Sequence, residues 1–489
     1  MKLAKLLEKL EILEANASLD MEVSGVAYDS RQVETGFAFV AIAGFATDGN
    51  KYIPMAAQKG AAVVITEKKP DTAIPYVLVA SAREALAIMG CNWYDYPATK
   101  MKMVGVTGTN GKTSVTMLLK SVLERVTGEK VGLIGTIQNM IGDEIIPTER
   151  TTPESFALQG LFAQMVEVGC AYCVMEVSSH ALALDRVGGV HFDAAVFTNL
   201  TEDHLDFHKT MEDYCAAKAM LFSRCETGVY NLDDPYCEKM LQNASGKRLT
   251  TSLKDEKADI FGKNVVFGSD SVSFTAVCGE KMLPMQIGIP GGFTAYNALS
   301  VLGAAAALGL PLEEAAAALA LAHGVKGRVE VIPTPGLDFT VLTDYAHTPD
   351  ALENVLQTVQ GFCKGRVVAL FGCGGDRDPI KRPIMGKIAA AQADFVIVTS
   401  DNPRSEEPMA IIRDILPGLA GIETPYTVIC DRREAIFWGL AHCKKDDVLV
   451  LAGKGHETYQ EISGEKRHFD EREEVAFWLR KHGKGADVE

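Results

Sequence analysis

The stretch Gly105-Val-Thr-Gly-Thr-Asn-Gly-Lys-Thr-Ser114 carries the residue types that hold a polyphosphate. Glycines let backbone N–H groups curl around phosphate oxygens, Lys112 can reach the outer phosphates, and the Thr113 hydroxyl can ligate Mg²⁺. The spacing departs from the common Gly-x-x-x-x-Gly-Lys-Ser/Thr form. Counted back from Gly111, the first glycine should fall at Val106, whereas Gly105 and Gly108 flank that position. An apolar approach (Met101, Met103, Val104) and an amphipathic stretch over 115–123 predict strand, glycine turn and helix. That order favours phosphate binding over a chance glycine turn.

Three further places could do chemistry beside a phosphate. Glu176 ends an apolar run and precedes Ser178, where a carboxylate is either a Mg²⁺ ligand or a plain acid at a strand end. The segment Phe197-Thr-Asn-Leu-Thr-Glu-Asp-His-Leu-Asp-Phe-His208 gathers ionisable groups after another apolar run. In it His204 can offer a nitrogen to a divalent ion, with Asp203 and Asp206 to orient it. Lys218 is a single cation in the apolar stretch around Tyr214 and Phe222. It is either a lysine whose stem lies along a helix edge, or one whose desolvated neutral amine can be carbamylated by CO₂ into an anionic oxygen ligand.

Several elements are needed to position these groups. At 489 residues the chain is too long for one core and suggests about three domains. Apolar runs at 23–28, 38–43, 62–66 and 76–79 alternate with helical patterns and predict a small α/β unit to about Thr99, with Pro97-Ala-Thr-Lys100 as linker. Strands at 131–135, 172–177 and 194–198 between helices predict a mostly parallel sheet. Ala-rich helices at 295–308 and 312–322 close this unit, with a hairpin over 266–277. After Gly327-Arg-Val-Glu330, strands at 339–344, 367–371, 395–399 and 448–452 predict a doubly wound fold, whose ligands bind beyond the carboxyl ends of the strands. The expected boundaries are 1–99, 100–331 and 332–489.

The net charge of −16 argues against general nucleic-acid or membrane-surface binding, while leaving room for small anions held by local cations. The first eleven residues space Leu among charges and predict a surface helix, not a signal peptide, and no run approaches a membrane span. Of the eleven cysteines, only Cys170 and Cys173 have Cys-x-x-Cys spacing. Without a second pair or a nearby His they read as reduced, buried strand thiols, as in a cytoplasmic protein.

The motifs Gly108-Thr-Asn-Gly-Lys-Thr113, Glu176-Val-Ser-Ser-His180, Thr198-Asn-Leu-Thr-Glu-Asp-His-Leu-Asp206, Ala216-Ala-Lys218, Tyr296-Asn-Ala298, Gly327-Arg-Val-Glu330 and Asp344-Tyr-Ala-His-Thr-Pro349 occur in this order. The chain thereby resembles the Mur ligases over nearly its whole length. The resemblance implies a UDP-substrate domain, a central ATPase domain and a C-terminal Rossmann-like domain. It implies that Gly108, Thr109, Asn110, Gly111, Lys112, Thr113 and Ser114 bind ATP phosphates, that Asn297 faces adenine, and that Arg328 and Asp344 contact the nucleotide. Thr113, Glu176, His204 and a carbamylated Lys218 would organise Mg²⁺, with Lys112, Glu176, His204 and Lys218 as the catalytic set. Ser30 would hold the uridine end, and Thr151, Thr152, Ser178 and Arg186 the muramoyl-dipeptide. A family member usually reads Asn-Thr-Thr where this chain has Arg150-Thr-Thr, so Arg150 either adds a cation for the acidic substrate or points outward.

The Arg of Asp401-Asn402-Pro403-Arg404 is suited to bidentate capture of a carboxylate, and meso-diaminopimelate carries an extra carboxylate that lysine lacks. The same residues mark the diaminopimelate-adding members by resemblance, with Arg377, Gly453 and Glu457 completing the pocket. The plain alternatives are a strand-to-helix turn and a surface ion pair. The implied reaction is ATP-dependent amide formation through an acyl phosphate, adding meso-diaminopimelate to UDP-N-acetylmuramoyl-L-alanyl-D-glutamate in a cytoplasmic, monomeric enzyme. Other readings are the same ligase adding lysine or another diamino acid, a folylpolyglutamate synthetase-like ligase, and a phosphate-loop switch without ligase activity.

Overall fold

The structure is a computed structural model that describes residues 1–483 apart from Phe45, Ala46, Glu149, Asn243, Ser269, Asp270, His323 and Val325, and apart from the side chain of Asp206. The expected role of Asp206 therefore lies outside the described residues. The chain builds an α/β architecture around three main sheets. The first has five strands, ordered Ile12–Ala15, Tyr76–Val79, Val63–Thr66, Phe37–Val40 and Gly25–Ala27, parallel except for the first pair.

The second sheet has eleven strands. At its centre Lys102–Thr107 lies between Phe192–Phe197 and Cys170–Glu176, both parallel to it. These strands are buried on both faces, which explains their continuous apolar runs of Val, Met, Ala and Phe. Pairing Glu176 with Val106 and Phe197 with Thr107 brings three strand ends to one edge. The helix Lys112–Thr127 buries Val115, Leu118, Leu119, Val122 and Leu123, a helical stripe, and ends at Gly128 with φ +72°. Its core is shared with the helices Gly292–Ala307 and Leu312–Ala320.

The third sheet is ordered Glu330–Ile332, Thr340–Asp344, Val448–Ala452, Val367–Phe371, Phe395–Val398 and Tyr426–Val428. It is parallel except for its first strand. Asp344 pairs with Ala452 and Phe371 with Val398, so the polar segments after these strands share one edge. A separate hairpin, Tyr459–Ile462 with Glu465–His468, stands beside that edge.

Two expectations are corrected. The N-terminal segment is not a surface helix: only Leu3–Leu6 is helical, and Leu3, Leu6 and Leu7 are buried in the first core. Four residues of helix have no independent stability and form because that core buries their leucines. The expected hairpin is larger, with Ile260–Phe267, Val272–Cys278 and Lys281–Ile287 extending the central sheet as three antiparallel-paired strands. Cys170 and Cys173 are buried on their strand as reduced thiols, and burial raises both. Among the described residues no helix is long and apolar enough to cross a membrane.

Candidate active site

The glycine loop is shaped by close approach. Gly108 has φ +149°, and a Cβ there would lie 1.9 Å from Thr198 Oγ1. Gly111 has φ +85°, with Asn297 Oδ1 2.8 Å from where its Cβ would be. The segment after Phe197 braces the loop: Thr109 N–H donates to Asn199 O (2.8 Å), Asn110 N–H to Asn199 Oδ1 (2.9 Å) and Thr198 Oγ1 to Asn110 O (2.6 Å). Lys112 Nζ donates to Gly108 O and Thr109 O, both at 2.8 Å, and Lys218 Nζ donates to the same Gly108 O at 2.8 Å. Two lysines thus converge on one carbonyl. Burial lowers the Lys112 amine, an effect opposed by Glu176. Burial lowers Lys218 well below its usual range, and Lys112 adds repulsion.

Glu176 is buried, and its carboxylate accepts the Thr136 N–H (2.9 Å) and the Thr136 hydroxyl (3.0 Å). It lines a cavity of about 610 Å³ with Lys112, Thr113, Ser114, His204 and Lys218. His204 sits at φ +55°, with Nε2 3.4 Å from Asp203 Oδ2 and its ring edge-on to His180 at 4.8 Å. Among the described residues no three His, Cys, Asp or Glu side chains are gathered as a ready-made metal nest. Thr136 and Tyr214 also line this cavity. Thr136 escaped the sequence reading, and only strand pairing puts it beside Glu176.

A second cavity, about 1170 Å³, opens between the central and third sheets and is lined by Phe293, Tyr296, Asn297, Arg328, Asp344 and Thr358 among others. The carboxylate of Asp344 is already engaged: Oδ2 accepts Val329 N–H (2.7 Å) and Oδ1 accepts Ala346 N–H (2.8 Å). Val329 has φ +42°, a strained setting for a β-branched residue, so Asp344 pins the turn that presents Arg328. The Arg328 guanidinium carbon lies 5.3 Å from the Tyr345 ring centroid. Asp350 was missed by the sequence reading. Its Oδ2 accepts from Asn110 Nδ2 and Thr201 Oγ1, both at 3.2 Å, tying the third unit to the glycine loop.

Of the residues expected for the dipeptide, Thr151, Thr152, Ser178 and Arg186 come together. Thr151 Oγ1 is 3.0 Å from Thr136 Oγ1, Thr152 Oγ1 takes the Ser178 N–H at 3.2 Å, and Arg186 Nη1 donates to Thr152 O at 3.2 Å. Glu154, not foreseen, gathers cations: Arg186 at 2.9 Å, Arg150 at 2.8 Å and Arg83 at 4.0 Å. Arg150 is more than half exposed, so it is an outward-lying partner of Glu154. Ser30 is buried in the short helix Ser30–Gln32, while Tyr28, Asp29 and Arg31 beside it line a third cavity with Arg150 and Glu154.

At the edge of the third sheet, Arg404 has φ +53°, and its N–H donates to Glu461 O at 3.0 Å. Its Nη1 donates to Gly375 O at 2.7 Å, and Nε lies 3.3 Å from Glu461 Oε2. Asp401, Asn402 and Pro403 are buried, and Gly453 has φ +118° with Asp401 Oδ2 2.3 Å from where its Cβ would be. Asn402 Nδ2 donates to Glu457 Oε2 at 2.9 Å. Arg377 is exposed beside Gly374. Behind them the fully buried Arg432 pairs with Glu471 at 2.8 Å and donates to Ser400 O (3.2 Å) and Ala452 O (2.8 Å). Those carbonyls immediately precede Asp401 and Gly453. The hairpin and Arg432 were not foreseen, since neither has a sequence signature near the motifs they support.

A phosphate-binding loop backed by an acidic strand end, facing a doubly wound sheet whose own strand ends carry arginine and carboxylate, defines a multidomain phosphate-loop protein with two opposed small-molecule sites. Residues 22–92 match the Mur ligase family catalytic domain, 106–305 the Mur ligase middle domain and 327–455 the Mur ligase glutamate ligase domain. The chain is 48% identical over 465 residues to the UDP-N-acetylmuramoyl-L-alanyl-D-glutamate--2,6-diaminopimelate ligase of Caldanaerobacter subterraneus subsp. tengcongensis, covering 94% of this chain and 96% of that one. The Clostridium botulinum protein of the same name is 46% identical, covering 93% and 94%. A solved structure of a UDP-N-acetylmuramoyl-L-alanyl-D-glutamate--2,6-diaminopimelate ligase superposes with a TM-score of 0.72 at 32% identity, over 99% of both chains. This chain belongs to the Mur ligase family.

Proposed function

We propose that the protein is an ATP-dependent ligase that joins meso-diaminopimelate to UDP-N-acetylmuramoyl-L-alanyl-D-glutamate in peptidoglycan precursor synthesis. The carrying observation is the Asp401–Arg404 segment and Glu457 at one strand edge, in a chain that aligns nearly end to end with relatives bearing that ligase name. A lysine-adding enzyme has no second carboxylate to engage Arg404. A phosphate-loop switch has no use for this second pocket, and a folylpolyglutamate synthetase-like ligase none for a UDP-binding unit.

ATP phosphates lie along Gly108–Ser114, with adenine against Asn297 and with Arg328 reaching both nucleotide cavities. Mg²⁺ suits the first cavity, because this ion keeps several waters and takes few protein oxygens alongside phosphates. Thr113 and Glu176 supply such oxygens, His204 flanks them, and Lys218 joins them once its amine is carbamylated. Bound there, the ion neutralises phosphate charge. Thr151, Thr152, Ser178 and Arg186 hold the dipeptide, whose uridine end lies along the Ser30 segment. An oxygen of the D-glutamate γ-carboxylate attacks the γ-phosphorus, the bond to the ADP oxygen breaks, and an acyl phosphate forms while Lys112 offsets the developing charge. The neutral amine of diaminopimelate then attacks the acyl carbon, phosphate leaves with the C–O bond electrons, and the surplus N–H proton is released to water.

The units correspond to substrate (1–99), ATPase (100–331) and amino-acid (332–489) domains, the last boundary falling within the strand Glu330–Ile332. The enzyme works as a cytoplasmic monomer. The test mixes enzyme, UDP-N-acetylmuramoyl-L-alanyl-D-glutamate, ATP, and competing diaminopimelate and lysine, and reads the product by mass spectrometry. A diaminopimelate adduct with ADP release is expected. A lysine adduct alone, or ATP hydrolysis with no adduct, sinks the reading.

A further inference from the structure

Lys454 has no role in the proposed reaction, yet its side chain is wholly buried between two residues of the amino-acid pocket. Nζ donates to Asn402 Oδ1 (2.6 Å), to Glu457 Oε2 (3.1 Å) and to the backbone carbonyl of Tyr459 (2.7 Å). An ammonium has three protons, and all three are used. Asp401 Oδ1 stands 3.8 Å away as a further counter-charge. A buried charge is retained at a desolvation cost, so the arrangement it enforces is where its value lies.

That arrangement is specific. Lys454 and the Glu461 N–H, which reaches Asn402 at 2.9 Å, can only donate, so the face of the Asn402 amide turned to them must be its oxygen. The amide nitrogen is thereby turned the other way, where one N–H meets Glu457 Oε2 at 2.9 Å. The same Lys454 takes up Glu457 Oε2, and among the described residues Oε1 accepts no hydrogen bond. The Glu457 side chain is 13% exposed, enough for one oxygen to meet a ligand. We propose that Lys454 is a positioning residue that fixes the Asn402 amide as a donor and leaves one Glu457 oxygen as an acceptor. The pocket thereby recognises an amino-acid centre carrying both ammonium and carboxylate. This rests on the proposed ligase activity and adds to it a residue that touches no substrate.

Losing a charge-assisted contact of this kind costs on the order of 10–100-fold in an equilibrium constant. Lys454→Met keeps the stem and removes the donors, and Lys454→Gln keeps a shorter, neutral donor should the Met variant fail to fold. The expected result is a KM for diaminopimelate raised on the order of 10–100-fold, with KM for ATP unchanged. The preference for diaminopimelate over 2-aminopimelate, which lacks the second amine, should collapse in the variants. Combining Lys454→Met with Asn402→Ala should cost little more than the worse single change, because the lysine acts through the amide. A purely structural lysine would lower the active fraction and leave KM and preference alone, and that result overturns the inference. So do a parallel rise in both KM values and multiplicative losses in the double variant. A wild-type enzyme that makes no diaminopimelate adduct overturns the ligase reading and this one together, whereas an unaltered Lys454 variant overturns only this one.

Discussion

Replacing Arg404 tests the amino-acid pocket most directly, and the structure sets the size of the effect. A guanidinium has five N–H donors. One on Nη1 is donated to Gly375 O, and Nε faces Glu461, which leaves three, including one on each terminal nitrogen. That remaining pair is the fork that meets a carboxylate in two parallel bonds. Two charge-assisted hydrogen bonds, at about 1.5 kcal/mol each, give about 3 kcal/mol, or on the order of 100-fold in kcat/KM for diaminopimelate. Arg404→Lys keeps a point charge and loses the fork, so about tenfold is expected there. Steady-state kinetics with each amino acid, ATP varied separately, provide the assay. Lysine gains nothing from the fork, so its kcat/KM should change much less and the selectivity should shrink by the same factor. Equal losses for ATP and diaminopimelate, or unchanged selectivity, would refute the argument, since either means that Arg404 merely holds its loop against Glu461.

Gly108→Ala would put a Cβ 1.9 Å from Thr198 Oγ1 at φ +149°. Backbone strain of this kind should weaken binding of a non-hydrolysable ATP analogue on the order of 10–100-fold by calorimetry, and undiminished affinity would count against the loop geometry. Arg432→Met leaves Glu471 buried and unpaired, so urea unfolding should show a loss of about 3–5 kcal/mol, largely recovered in Arg432→Met/Glu471→Leu. If the double variant is as unstable as the single, the pair is not the cause. The Lys218 amine is held well below the ordinary lysine range, first by burial and then by Lys112, so it stays neutral down to a lower pH than a free lysine. Carbamate formation, followed by ¹³C NMR with labelled bicarbonate, should therefore persist to lower pH than on an exposed lysine and fade as pH falls further and the amine reprotonates. The linkage has the same sign: the unfolded chain binds this proton more readily, so Lys218 favours the folded state more as pH rises towards 10.5. A Lys218→Met enzyme with the same carbamate signal would locate the adduct elsewhere.

The central strands were legible because they are buried on both faces and read as unbroken apolar runs, as in Val367–Phe371. Cys225–Asn231 and Lys247–Ser252 were not. The first is interrupted by Glu226 and Gly228, and the second is mostly polar, yet both are held in the sheet by parallel neighbours. The same split runs through the site. Lys112, Glu176, His204 and Lys218 stand in contiguous motifs and do meet around one cavity, because the first three sit at or just beyond neighbouring strand ends of one sheet and the helix Met211–Ala219 brings Lys218 onto the Gly108 carbonyl. Thr136, Glu154, Asp350 and Arg432 act across gaps of 32 to 240 residues or sit outside any motif, and contacts of that range become visible only when the chain is folded.

The short Gly327–Glu330 segment joins the two half-sites by geometry. A Cβ on Gly327 would lie 2.0 Å from His456 N, so this backbone rests directly on the Gly453–Glu457 loop. Gly327 O accepts the Tyr345 N–H at 3.0 Å, and Arg472 binds both Glu330 and the Gly455 carbonyl, at 2.9 Å for the latter. The His456 ring lies tilted against Tyr345 with centroids 4.8 Å apart; burial first, and then Arg328 and Arg472, push its pKa down to about 4, so a neutral imidazole sits beside the arginine without repelling it. Arg328, the residue after Gly327, lines both the glycine-loop cavity and the cavity around Asn297. A shift of the loop that carries Glu457 must therefore move the backbone that carries Arg328. An acyl phosphate left waiting for its amine is open to attack by water, so a ligase gains from having its amine pocket formed when phosphate transfer begins. The close approach of Gly327 to His456, backed by Arg472, meets that need.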